Sequence, residues 1–241
     1  VLGMGLGHVA DVLTRLQSQA IRVWPHQCTR LRHRRSTCAL CARICPAQAI
    51  SWQPALQVDA DQCNGCGLCA AVCPTGALEA QAPSNAEIVG RIQEILKDRT
   101  WVAFACPASQ KALGRAGEAC LTTSCVGRLD ESVLVGAIAV GARAVWLVDA
   151  ACSQCPQATG HRLAVQAVQR ANAWLQAWGR SPCISIRGEL PPDALAGGRA
   201  PAGVDDLSRR AFFQVLARRT ARAAAITVGS LVGAHAEEET G

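Results

Sequence analysis

The chain has 241 residues, half of them apolar, a modest formal net charge of +6 and 14 cysteines. No run of about 18 apolar residues is present, which argues against a membrane span. Residues 1–19, VLGMGLGHVADVLTRLQSQ, lack the basic start and sustained apolar stretch of a signal peptide. The expected setting is therefore cytoplasmic and reducing, where clustered cysteines mean metal or redox chemistry rather than disulfides.

Val1 leaves open an alternative start codon or a fragment. The glycines of GMGLG (3–7) follow no strand pattern, so they are weak evidence for a dinucleotide site. The first strong signal is an internal repeat. IRVWPHQC (21–28) and LQVDADQC (56–63) each read as a short alternating strand ending in Gln-Cys. CALCARICPAQAI (38–50) then matches CGLCAAVCPTGAL (66–78) almost position for position. Cys28 corresponds to Cys63, Cys38 to Cys66, Cys41 to Cys69 and Cys45 to Cys73. The second copy is an uninterrupted C-x2-C-x2-C-x3-C-P, and the first carries TRLRHRRST (29–37) between its first two cysteines.

Three cysteines spaced by two residues on a tight loop can reach three corners of one iron–sulfur cube, with backbone N–H groups aimed at the sulfurs. Gly65 and Gly67 permit the close turn. The fourth cysteine of each run, after a further turn, serves the other cluster in the two-cluster arrangement. The spacing predicts one [4Fe-4S] site from Cys28, Cys38, Cys41 and Cys73, and a second from Cys63, Cys66, Cys69 and Cys45. Zinc is the rival metal, but it pairs two C-x2-C knuckles at a distance and needs no four-cysteine run ending in Pro. On these motifs, residues 20–82 resemble the bacterial-type two-[4Fe-4S] ferredoxins, and the resemblance implies an α+β ferredoxin-like dicluster domain. The basic insertion has several readings: a solvated loop, a docking patch for an acidic partner or cations that raise the cluster potential, or a nucleic-acid contact. No stacking aromatics accompany its arginines, so nucleic acid is the least expected partner.

After the polar break QAPSN (81–85) the pattern changes. Helices are expected at 86–98, 108–116, 131–141 (with Asp130 as N-cap) and 161–179, and strands at 100–106, 118–123, 142–150 and 183–186. Strands alternating with helices predict a parallel α/β domain. Cys106 ends the first strand, Cys125 follows the second, and Cys152 and Cys155 follow the third. All four face the carboxyl edge, where such folds build their sites, and they suffice for a [2Fe-2S] cluster. Buried thiols, a metal-free site or a Cys152/Cys155 redox dithiol are the alternatives. Cys120 and Cys183 read as packing residues.

FAC (104–106), CVGRLDESVLVGAIAVGARAVWLVDAACSQC (125–155) and Gly160 resemble the delta subunit of methyl-viologen-reducing hydrogenase, over about residues 99–190. The resemblance implies an iron–sulfur adaptor with one [2Fe-2S] cluster. Such an adaptor joins a hydrogenase or formate dehydrogenase to a heterodisulfide-reductase-type flavoprotein. Ser109 and Pro156 stand where that family has cysteine and histidine, and the final cysteine pair is closer than in the family. Cys120 is an outside candidate for the missing ligand.

LPPDALAGGRAPAG (190–203) reads as a linker. Residues 204–241 read as a basic helical tail with Phe212 and Phe213 as anchors, a docking or core-covering helix. Membrane-surface attachment is a second reading. SRRAFF imitates an export signal but lies far from the N-terminus. His8, His26 and His235 have no evident partners, although His26 lies near the first set of cysteines. The expected protein is an electron-transfer subunit with no catalytic residues of its own, working with flavoprotein or other redox-enzyme subunits. The rivals are a thiol oxidoreductase built on Cys152/Cys155 and an iron–sulfur sensor that contacts nucleic acid.

Overall fold

A computed structural model describes residues 20–53 and 55–195. The linker beyond residue 195, the tail, Phe212, Phe213, GMGLG, His8 and His235 lie outside the described residues.

The repeat is visible in three dimensions. The first copy runs β1 (Ile21–Val23), a 3-10 turn at Pro25–Gln27, α1 (Thr29–Arg32) in the insertion, α2 (Leu40–Ile44) and β2 (Ile50–Ser51). The second runs β3 (Gln57–Val58), α3 (Leu68–Ala71) and β4 (Leu78–Ala80). Each strand pairs with the other copy. β1 is antiparallel to β4 with Ile21 opposite Ala80, and β2 is antiparallel to β3 with Ile50 opposite Val58.

Both opening strands are shorter than their patterns predict. Pro25 has no N–H for a ladder, and the Asp59 carboxylate accepts from the N–H groups of Asp61 and Gln62, which starts a turn. The core here is small. Ile21, Ile50, Leu56, Val58 and Leu78 share it with Cys28, Cys41 and Cys69, so the thiols are themselves core residues.

The second half begins at Ser84. Its hydroxyl accepts from the Glu87 N–H while the Glu87 carboxylate accepts from the Ser84 N–H, a reciprocal cap for α4 (Asn85–Ile95). There follow β5 (Trp101–Ala105), α5 (Pro107–Leu113), β6 (Leu121–Thr122), α6 (Glu131–Ala139), β7 (Ala144–Val148), α7 (Ala158–Ala177), β8 (Ile184–Arg187) and α8 (Pro192–Leu195). The four strands form one parallel sheet in the order β6-β5-β7-β8. Its alternation divides the core. Val102, Phe104, Val145 and Leu147 pack beneath α4, α6 and α7. Trp101, Ala103 and Trp146 line the other face with Cys120, the two indoles 5.0 Å apart.

Several boundaries differ from expectation. Strand 118–123 shrinks to two residues because residues 114–119 wind into 3-10 turns, so Cys120 precedes the strand. Cys183 likewise lies just before β8. α6 stops at Ala139 ahead of Gly141, whose φ of +118° no ordinary helix residue adopts. Asp130 does cap α6, accepting from the Ser132 and Val133 N–H groups. No described helix is long and apolar enough to cross a membrane.

Candidate iron–sulfur sites

Eight of the thiols lie in the repeat, six on its loops, Cys41 in α2 and Cys69 in α3. Cys28, Cys38, Cys41 and Cys73 line one small cavity together with Trp52, Leu56, Pro74 and Leu78. The insertion leaves at Cys28 and returns at Cys38, so both of its ends face the same cavity. Burial pushes the Cys41 thiol up to about 11; the Ala42 N–H opposes this, and the charges of Cys73 and Cys28 add to it. The indole N–H of Trp52 is buried on this cavity and has no hydrogen-bond partner.

Cys45, Cys63, Cys66 and Cys69 lie near enough for the charges of the others to act on Cys66 and Cys69. Burial raises Cys66 first, against the Leu68 N–H, and the charges of Cys45 and Cys63 raise it further. Burial holds Cys69 well above the usual thiol range, with Cys66, Cys45 and Cys63 adding to the effect. Cys69 also senses Cys41, so the two sets adjoin. The backbone N–H of Ala49 donates to the Cys45 sulfur at 3.4 Å.

The carboxyl edge of the parallel sheet holds the third set. Cys106 follows β5 and caps α5, Cys125 follows β6, and Cys152 and Cys155 flank the turn after β7. Burial pushes Cys152 up to about 12, and Cys106, Cys125, Asp149 and Cys155 add to the shift. Cys125 is pushed up to about 11 by burial; the Gly127 N–H opposes this, while Cys66, Cys106 and Cys155 reinforce it. The structure thus brings together all four cysteines that strand order places at this edge. Backbone N–H groups of Ser109 and Gln157 donate to the sulfurs of Cys106 and Cys155 at 3.5 and 3.4 Å.

Four neighbours of this set carry weak sequence signals. Ser109 is fully buried beside Cys106, and its hydroxyl accepts from the Ala151 N–H at 3.3 Å. Asp149 and His161 pair at 3.0 Å, and Asp149 is one of the charges that raise Cys152. Gly160 lets α7 approach: a Cβ there would sit 2.5 Å from the Cys125 sulfur. Cys120 stands apart. It packs with Trp101 and Trp146, burial pushes it up to about 11, and Arg99 is the one charge opposing that shift. Burial also raises Cys183.

The second and third sets touch. Cys66, Leu68 and Cys125 form one buried cluster, flanked by Ile44 and Leu163. Gly127 crosses the first turn of α7 so closely that a Cβ would lie 2.2 Å from the Gly160 carbonyl oxygen.

The donor chemistry fits iron–sulfur groups. Each set holds at least one thiol that burial keeps from ionising readily, and a cationic core would replace the protons of such thiols.

Comparison with known proteins agrees for the first half. Residues 34–77 match the family model of the 4Fe-4S dicluster domain. The chain therefore contains such a domain, and with it the capacity to bind 4Fe-4S clusters and an iron–sulfur electron-transfer role. The match begins after Cys28, which the repeat and the cavity lining single out instead. No curated protein and no solved structure matches the chain.

Proposed function

We propose that the chain is an iron–sulfur electron-transfer subunit with three sites. Cys28, Cys38, Cys41 and Cys73 hold one [4Fe-4S] cluster, and Cys45, Cys63, Cys66 and Cys69 hold the other. Cys106, Cys125, Cys152 and Cys155 hold a [2Fe-2S] cluster. The observation that carries this reading is that the sets share buried clusters, Cys41 and Cys69 in one and Cys66 and Cys125 in another. When bound, such clusters exchange single electrons without substrate chemistry of their own. The protein's residues supply the rest. Backbone N–H groups stabilise charge on the sulfurs. Leu68, Ile44 and Leu163 keep water from the Cys66–Cys125 contact. The raised Cys152 thiol makes a poor nucleophile, which disfavours a catalytic dithiol.

Partners are read from charge. Between Asp11 and Asp59 the sequence has no acidic residue. Arg30, Leu31, Arg32, His33, Arg34 and Arg35 are all exposed, on the loop between two thiols of the first cavity. None of these arginines pairs with a described carboxylate, and the Arg30 guanidinium lies 4.3 Å over the Trp52 ring. The proposed partner here is an acidic redox protein, steered by charge to the first cavity. The resemblance to hydrogenase delta subunits suggests the system. One partner is a hydrogenase, formate dehydrogenase or similar enzyme, and the other a heterodisulfide-reductase-type flavoprotein. Domains at 20–82, 99–190 and 204–241 belong to the same proposal.

The test is anaerobic coulometric titration of the reconstituted chain, with electron paramagnetic resonance at each step. The reading expects uptake of about three electrons per chain, two in interacting cubic clusters and one in a distinct signal. Uptake in pairs at a thiol, with no paramagnetic signal, would instead show a dithiol enzyme.

A further inference from the structure

Arg128 is a buried cation without a bonded carboxylate. Its residue is 3% exposed, and it is in no ion pair among the described residues. One terminal nitrogen donates to the Pro83 carbonyl and the other to Asn85 Oδ1 at 2.9 Å. Its Nε–H is buried and donates to nothing. Buried donors normally have partners, so this orphan needs an explanation.

The explanation lies in what the side chain covers. It runs along Gly67, the residue after Cys66 and two before Cys69. A Cβ on Gly67 would meet Arg128 Cβ at 3.1 Å and both Cδ and Nε at 3.3 Å. Gly67 also has a φ of +76°, so it is glycine for two reasons: a left-handed backbone and an overlying guanidinium. The carbonyls that fix the terminal nitrogens hold Nε on the loop that carries two thiols of the second set. Glu87 and Asp130, the acidic groups that favour its charge, only partly offset its burial. The first set has a different orphan donor, the neutral indole N–H of Trp52.

We propose that Arg128 is a positioning residue for the second set. Its charge and its Nε–H compensate the negative group held by Cys45, Cys63, Cys66 and Cys69, and raise that group's reduction potential above the value it would have without this cation. The inference rests on the reading that both sets hold [4Fe-4S] clusters. A guanidinium held over Gly67, between Cys66 and Cys69 in the chain, favours the added electron. The same residue joins the halves, since it follows Cys125 by three positions and reaches across the 82–85 link.

The experiment is redox titration of the reconstituted full chain, followed by electron paramagnetic resonance, for wild type, R128Q and R128K. Iron is counted in each, and the second-set signal is identified as the one lost in C63A. The expected result is a lower midpoint for that signal in R128Q, an unchanged first-set midpoint, and a near wild-type value in R128K. R128Q losing second-set iron while R128K keeps both iron and potential also supports the role of charge. Unchanged midpoints in R128Q, equal shifts in both variants, or equal loss of iron from both would overturn it. Those outcomes would leave a purely structural strut. Wild-type protein without two cubic-cluster signals would refute the underlying reading instead, so the two failures are distinguishable.

Discussion

The two halves hold their thiols by opposite means. In the repeat half, cysteines are part of the core, the strands are two or three residues long, and the apolar residues are few. In the sheet half, a core of α4, α6, α7 and four strands is built from apolar side chains, and of the four edge thiols Cys152 alone packs against it among the described residues. One half is arranged around what its cysteines bind, and the other is a finished fold that presents cysteines at its rim. Such a small core cannot offset chain entropy alone, and it depends on its metal as other small metallo-domains do.

The largest consequence is selective collapse on losing iron. Anaerobic chelation at low pH should remove hydrogen-exchange protection from residues 20–82 while amides of β5, β7 and α7 stay protected. Equal loss in both halves would break the comparison.

A smaller effect is expected at the rim. Gly160→Ala puts a methyl group 2.5 Å from the Cys125 sulfur. It should cost about 1–3 kcal/mol and empty the third set of iron, leaving the two cubic-cluster signals intact. Loss of those signals first would mean that the halves are not separable.

Charge on the insertion acts on encounter and not on folding. R32E/R34E/R35E should retain full iron. It should slow reduction by a strongly acidic [2Fe-2S] ferredoxin about tenfold at low salt, and the difference should vanish at high salt. Tight, salt-sensitive binding of an RNA oligonucleotide by wild type, with no rate difference toward the ferredoxin, would favour the sensor reading.

The smallest effect concerns Cys120, a thiol inside the finished core. Its folded value of about 11 lies above the unfolded value of 9.0. The unfolded chain therefore loses this proton first, and the stabilisation present below pH 9 is lost as pH rises through about 11. Urea denaturation at pH 8 and pH 10 should show a larger fall for wild type than for C120A. Equal falls would place the thiol in solvent.

What the sequence makes legible follows from what is local. The dicluster spacing is covalent, so Cys28 can be assigned through a seven-residue insertion by aligning the two copies. The carboxyl-edge set follows from strand order alone, since each cysteine comes just after a strand. Contacts between the halves are not local. Nothing in the spacing of Cys66 and Cys125 says that they meet, or that Arg128 lies on Gly67. Those facts depend on how α7 crosses Gly127; the sequence marks Gly127 and Gly160 within the family resemblance but not their contact. The short β6 was misjudged for a local reason, because Gly114 and Gly117 favour tight turns where a strand was expected.

The most direct test of the central claim is the iron and acid-labile sulfide content of the anaerobically reconstituted chain, in parallel with C73A and C125A. The account predicts about ten irons per chain, a loss of about four in C73A and of about two in C125A. About eight irons in wild type, unchanged in C125A, would reduce the third set to unliganded thiols. Zinc in place of iron would contradict the account from its first step.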